Sequence, residues 1–144
     1  MKHEKFVLHF LSKTKKKMTK FIENQLIEEG IEDLVPAYGN ILTVLYQNAG
    51  KLMMKDIANI VGKDKSTITA LIKNLMALGY VKKIKSKKDK RITYIELTEK
   101  SYVIQNKFDR ISKELSNRAY QGFTEEEKAT FLKLLKKMNN NFNQ

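Results

Sequence analysis

Residues 55–81 read KDIANIVGKDKSTITALIKNLMALGYV, and residues 89–98 follow as DKRITYIELT. The first stretch holds two short apolar periods separated by a turn. Ile57, Ala58 and Val61 share one face of a short helix over 53–61, Gly62 stops it, and Gly62-Lys63-Asp64-Lys65 reverses the chain. Asp64 is the natural N-cap of the next helix, because a carboxylate there accepts from the open N–H groups of the first turn. Ile68, Leu71, Ile72 and Leu75 then recur at steps of three and four, the inward stripe of a helix that Gly79 closes. From Tyr80 the period drops to two. Residues 81–86 and 92–97 are rich in Val, Ile, Thr and Tyr and flank the turn-forming Lys87-Lys88-Asp89-Lys90, which predicts a two-stranded antiparallel hairpin. A lone hairpin is marginal in water, so it must lean on the helices.

Working outward, the flanks are helical. Val7, Phe10, Leu11, Met18, Phe21, Ile22 and Leu26 mark a long amphipathic first helix stopped by Gly30. A second helix runs from Pro36, tolerated in a first turn that needs no N–H, through Tyr38, Ile41, Leu42 and Leu45 to Gly50. Beyond the hairpin, Thr98 is the expected cap of a fifth helix whose Ile104, Phe108, Ile111 and Leu115 form a seam suited to a partner helix. Thr124 and Glu127 make a capping box for a last helix with the stripe Phe131, Leu132, Leu135, Met138 and Phe142, and the Asn-rich end 139–144 is expected to fray. The chain of 144 residues fits one domain. The expected fold is mainly α with a small β-hairpin wing: a winged helix-turn-helix lobe over 35–98, flanked by the helices of 1–34 and 99–144.

The charge is concentrated where this pattern lies. The chain carries 28 Lys and Arg against 16 Asp and Glu, a formal net charge of +12, and residues 51–91 alone contribute nine of those twelve excess charges. Lys82, Lys83, Lys85, Lys87, Lys88, Lys90 and Arg91 stand within ten residues against the single Asp89. Their repulsion costs stability unless a polyanion offsets it, and nucleic acid is the natural one. The second helix of a helix-turn-helix lies in the DNA major groove with its N-terminal residues at the base edges. With the apolar stripe turned inward, the opposite face displays Lys65, Ser66, Thr67, Thr69, Ala70, Lys73 and Asn74. Hydroxyls can bond bases or phosphates, lysine can meet guanine or a phosphate, and Ala70 can touch a thymine methyl. Capping explains Ser66 but not Thr67 and Thr69 together. Lys55 of helix three and Lys88, Lys90 and Arg91 of the wing complete the candidate DNA contacts, Arg91 being suited to a narrow minor groove. Asp89 either holds Arg91 or shapes the turn.

Other chemistry is excluded by what the chain lacks. It has no Cys, which removes disulfides, thiolate metal sites and a cysteine nucleophile. His3 and His9 do not share a face as an i, i+4 metal pair would, so no metal and no cofactor are expected. No phosphate loop, dinucleotide fingerprint, zincin or nucleophile-elbow motif occurs, and an enzyme is not expected. No apolar run approaches the ~20 residues of a membrane span, and the expected compartment is the cytoplasm. The acids Glu23, Glu28, Glu29, Glu32 and Asp33 read as a solvated face, or as a partner for Lys13–Lys20 of another subunit. Lys13–Lys17 itself reads as a solvated face.

The quoted stretches, together with FTEEEKATFLKLLKKM at 123–138, resemble the MarR family of bacterial transcription regulators. The wing pattern is met by Asp89, Arg91, Ile95, Leu97 and Thr98, and the likeness covers nearly the whole chain. The resemblance implies a homodimer whose terminal helices, over 1–34 and 99–144, interlock as dimerisation helices, binding to a near-palindromic operator in double-stranded DNA, and release by a small anionic or phenolic ligand. Family members hold that ligand between the dimerisation helices and the DNA-binding lobe, and Tyr38, Leu42 and Tyr46 of helix two are the candidates here. The chain departs from the family in four places. Ala70 and Lys90 stand where Arg is common, Met53 stands where a capping Ser or Thr is common, and Ser101 replaces a Gly, a change expected to affect only the helix start. The competing function is a winged helix that binds RNA or docks a protein, since fold does not dictate function. Aromatic or Met anchors among the hydroxyl and lysine residues 65–74 of the fourth helix would mark a docking face, and none is present there.

Overall fold

The computed structural model describes residues 6–143; His3 and the rest of residues 1–5, and Gln144, lie outside the described residues. The first helix, α1 (Val7–Glu28), leads through a loop to α2 (Pro36–Tyr46), which begins on Pro36 as its composition predicts. The middle third follows as β1 (Lys51–Met53), α3 (Met54–Val61), α4 (Lys65–Ala77), β2 (Val81–Lys85) and β3 (Thr93–Leu97). The chain ends with α5 (Glu99–Val103), α6 (Gln105–Ala119) and α7 (Glu125–Asn140). Among the described residues no helix is long and apolar enough to cross a membrane.

The core forms where the sequence periods converge. Ile41, Leu42 and Leu45 of α2, Ile57 of α3, Ile68, Ile72 and Leu75 of α4 and Ile95 of β3 are fully buried against one another. Burying each such side chain stabilises the fold by roughly 1.5–3 kcal/mol, which is what sets α4 firmly beneath its exposed face.

Four expectations require correction. The sheet has three strands, in the order β1-β3-β2, because Lys51, Leu52 and Met53 pair antiparallel with Glu96, Ile95 and Tyr94. The expected start of helix three at 53 is the end of this strand; three residues are too few to show a period of two. The third strand, together with the helices beneath, supports the β2–β3 hairpin, whose register pairs Val81 with Leu97 and Lys85 with Thr93. Second, the fifth helix is broken at Ile104 into α5 and α6. Its seam does not wait for a partner: Phe108 and Ile111 are buried within this chain, and Ile104 packs on the same core. Third, Thr98 does not cap α5; its hydroxyl donates to the Gly79 carbonyl. Fourth, the helix persists through Asn139 and Asn140 before turning.

The capping box at Thr124 and Glu127 is present in both directions, yet α7 buries none of its residues. Phe131, Leu132, Leu134, Met138 and Phe142 remain exposed, as do Val7, Leu8, Phe10 and Leu11 at the start of α1.

Gly50 joins α2 to the sheet. Its N–H donates to the Leu45 carbonyl, its carbonyl accepts from Leu97 N–H, and its φ of +79° is one that side-chain-bearing residues avoid. A Cβ there would also run into the Tyr102 hydroxyl. Gly50→Ala should therefore destabilise the fold by about 1–2 kcal/mol, read as a lower urea midpoint at unchanged m-value.

Candidate nucleic-acid interface

The candidate interface is built from the turn upward. Gly62, at φ +77°, ends α3 in the left-handed conformation. Two residues later the Asp64 carboxylate accepts from Thr67 N–H at 2.7 Å and from the Ser66 hydroxyl at 2.8 Å. The Thr67 N–H, the Thr67 side chain and the Ser66 hydroxyl hold its pKa below the usual aspartate range. With Ile68, Ile72 and Leu75 buried, Lys65, Ser66, Thr67, Thr69, Ala70, Lys73 and Asn74 all lie exposed on the outer face of α4. Their hydroxyls are not idle. Ser66 donates to Asp64, and Thr69 donates to the Lys65 carbonyl at 2.7 Å while touching the Met54 sulfur at 3.3 Å. Toward solvent these two oxygens keep acceptor lone pairs, and Thr69 its methyl. Asn74 is drawn toward the body, its amide donating to the Tyr38 hydroxyl at 3.2 Å. Lys55 is exposed on α3.

At the wing tip Asp89 does both things that its position allowed. Its Oδ1 accepts from Arg91 N–H and from Arg91 Nε, each at 3.0 Å, and its Oδ2 accepts from Nη2 at 3.1 Å. The guanidinium beside it, then the backbone N–H, lowers the Asp89 pKa, and the same pair raises that of Arg91. Ser86 Oγ accepts from the N–H groups of Lys88 and Asp89 and tightens the same turn. Arg91 is thereby aimed while its side chain stays 90% exposed, with Lys88 and Lys90 beside it at the tip.

The corner between α4 and the wing is held by residues that the sequence did not single out for it. Three successive carbonyls are taken by three neighbouring side chains. Lys100 Nζ donates to Leu78 O at 2.7 Å, Thr98 Oγ1 to Gly79 O at 2.6 Å, and Ser101 Oγ to Tyr80 O at 2.6 Å. Ser101 is fully buried, and its own carbonyl accepts the Tyr46 hydroxyl. Its role is to tie α5 to this corner, well beyond the helix start. Burial pushes the Tyr46 pKa up to about 12.

The clasp extends to the α1–α2 loop. Asp33 accepts the Tyr80 hydroxyl at 2.6 Å and Lys100 Nζ at 3.1 Å. Desolvation opposes the charge on Asp33, but the bonds from Tyr80 and Lys100 outweigh it and lower its pKa; burial and the same carboxylate raise that of Tyr80. Glu29 is bound by Arg110 through two bonds of 3.2 and 2.9 Å, with its carboxyl lowered accordingly. Within the acidic run, Glu29 and Asp33 thus fasten elements of this same chain, which corrects their reading as a free or intersubunit face.

A groove of about 210 Å³ opens between α1, α2 and α6, lined by Ile22, Leu26, Pro36, Gly39, Asn40, Thr43, Phe108, Ile111, Ser112 and Leu115. Helix two does line it, but not with the expected Tyr38, Leu42 and Tyr46. Leu42 is fully buried, Tyr46 packs on Phe108 and Tyr102, and Tyr38 leans on the core. Aromatic residues at helical spacing serve packing here.

A helix-turn-helix with an exposed polar outer face, continued by a basic wing, is the arrangement of a winged helix-turn-helix. Residues 32–92 match the MarR family. The uncharacterized HTH-type transcriptional regulator YybA of Bacillus subtilis is 29% identical over 69% of this chain, which spans 66%, just under two thirds, of that protein. The organohalide-sensing regulator RdhR in its 2,4-dichlorophenol-bound form superposes with a TM-score of 0.84 at 20% identity, over 99% of this chain and 82% of its own. A cysteine-to-serine mutant of MarR from E. coli complexed with operator DNA gives 0.77 at 20% identity, over 90% and 91%. Over residues 32–92 the chain is thus similar to the MarR family, and the curated relative it matches is named as a transcriptional regulator.

Two measurements probe the clasp. Ser101→Ala removes one bond in a buried corner and should cost about 1–2 kcal/mol in urea unfolding. Because the Asp33 pKa is lower folded than unfolded, its contribution is complete above the unfolded value and is lost as pH falls through the folded one. Stability should therefore drop below the ordinary aspartate value of 3.8, and Asp33→Asn should make that acid limb shallower.

Proposed function

We propose that the protein is a homodimeric repressor that binds a near-palindromic operator in double-stranded DNA and leaves it when a small ligand binds. The observation that carries this reading is the juxtaposition of the exposed α4 face with an Arg91 that its neighbour Asp89 already aims. Lys65, Ser66, Thr67, Thr69 and Ala70 would meet base edges in the major groove, Lys55 and Lys73 the phosphates, and Lys88, Lys90 and Arg91 the flanking minor groove. Ala70 offers only a methyl, which suits contact with thymine. The operator-bound E. coli relative supports duplex DNA as the partner.

Residues 35–98 would form the DNA-binding lobe, and 1–34 with 99–144 the dimerisation region. The exposed apolar side chains of α7 and the start of α1 support pairing there, since a monomer would leave them in water. The groove between α1, α2 and α6 supports an effector site. Its lining includes no Lys or Arg among the described residues, which favours a phenolic over an anionic ligand. The dichlorophenol-bound relative is consistent with that choice. No step here calls for an enzyme or a cofactor.

The test begins with selection of bound duplexes from a random pool. The recovered site should protect two half-sites about one helical turn, ~10 base pairs, apart, and light scattering should give twice the chain mass. A single half-site or a lasting monomer would overturn dimeric docking. Arg91→Ala should weaken protection at the flanks, whereas Thr69→Val should change base preference by about 1–3 kcal/mol per affected pair.

A further inference from the structure

The alternation of β2 sorts its lysines onto two faces. Lys82 points to the side that carries Glu96, with 3.9 Å between amine and carboxylate. Lys83 and Lys85 point to the other side, opposite Ile95 and Thr93 of β3, and neither is ion-paired among the described residues. This second face turns toward the helices. Met54 of α3, Lys83, Lys85, Thr93 and Ile95 line one open cleft of about 480 Å³. Met54 is the side chain that Thr69 of α4 touches, so the cleft adjoins the outer face of the reading helix.

We propose that this cleft is a separate binding surface for the DNA backbone, which takes the sugar–phosphate strand running from the major groove read by α4 toward the minor groove at the wing tip. The inference rests on the reading of α4 as the DNA-reading helix and adds Lys83, Lys85 and Thr93 to it. Positions two residues apart on a strand lie about 7 Å from each other, so the ammonium groups borne there can reach successive phosphates along one strand. Thr93 adds a hydroxyl for a phosphate oxygen, and Met54 and Ile95 supply an apolar floor for the deoxyribose face. Contacts of this kind fix register and orientation and carry no sequence information. The free inner lysines gain from a polyanion, whereas Lys82 already has a carboxylate.

The test uses the full chain and two duplexes of equal length, the selected operator and a scrambled sequence, titrated at several salt concentrations. Lys83→Ala and Lys85→Ala should each weaken binding to both duplexes by the same factor. Each should also reduce the slope of log affinity against log salt by about one. Between 50 and 200 mM salt the parent chain should lose roughly threefold more affinity than either variant. Lys82→Ala should leave the slope unchanged. Parent-like slopes for Lys83→Ala and Lys85→Ala, with Arg91→Ala still impaired, would overturn the cleft and leave the α4 reading intact. An equal loss for Lys82→Ala would overturn it too, because bulk charge would then suffice. Slopes unmoved in every variant, Arg91→Ala included, would remove the DNA reading and the cleft with it.

Discussion

The geometry of the candidate interface depends on one short piece of backbone. Leu78, Gly79 and Tyr80 carry the chain from α4 into the wing, and their three carbonyls are each taken by a side chain from residues 98–101. A turn of this kind, left to water, would permit the helix and hairpin to swing against each other. Here the angle is set by bonds that converge from Thr98 and the first turn of α5, and the bond from the buried Ser101 is shielded from solvent. Tyr80 then passes the constraint to Asp33, so the α1–α2 loop and the corner between α4 and the wing share a polar joint.

The rest of the site is local chemistry laid over that joint. Asp64 and Asp89 play parallel parts at its two ends: each is a carboxylate in a highly basic stretch, and each is consumed by its immediate neighbours. One starts the helix and the other aims an arginine. Two of the three acids within residues 51–91 are therefore committed to local structure, and most of the positive charge there remains available to a polyanion.

Much of this was legible in the chain itself. The stripe of Ile68, Ile72 and Leu75 announced α4, because side chains at that spacing reach one core together only from a helix, and Asp64 announced its start. The period of two after Tyr80 announced the hairpin. What stayed hidden had no local signal. Strand β1 is three residues long and is defined by pairing with residues more than forty positions away. Asp33 and Lys100 are 67 positions apart, and a carboxylate among other acids reads as solvated until its partners are seen. Ser101 looked like a helix-start substitution because nothing in its neighbours reveals the carbonyl of Tyr80. The Phe108 and Ile111 seam was recognised as apolar, but periodicity cannot say whether an apolar face meets its own chain or another.

The strand order leaves β2 at an outer edge of the sheet, with a row of backbone groups that no further strand covers among the described residues. Such an edge invites the same edge of another molecule to add on and start a growing stack. Three of its five residues are lysines, so two copies approaching side by side would repel before their backbones could bond. The positive charge along this strand thus disfavours growth of the protein into a polymer through its own sheet.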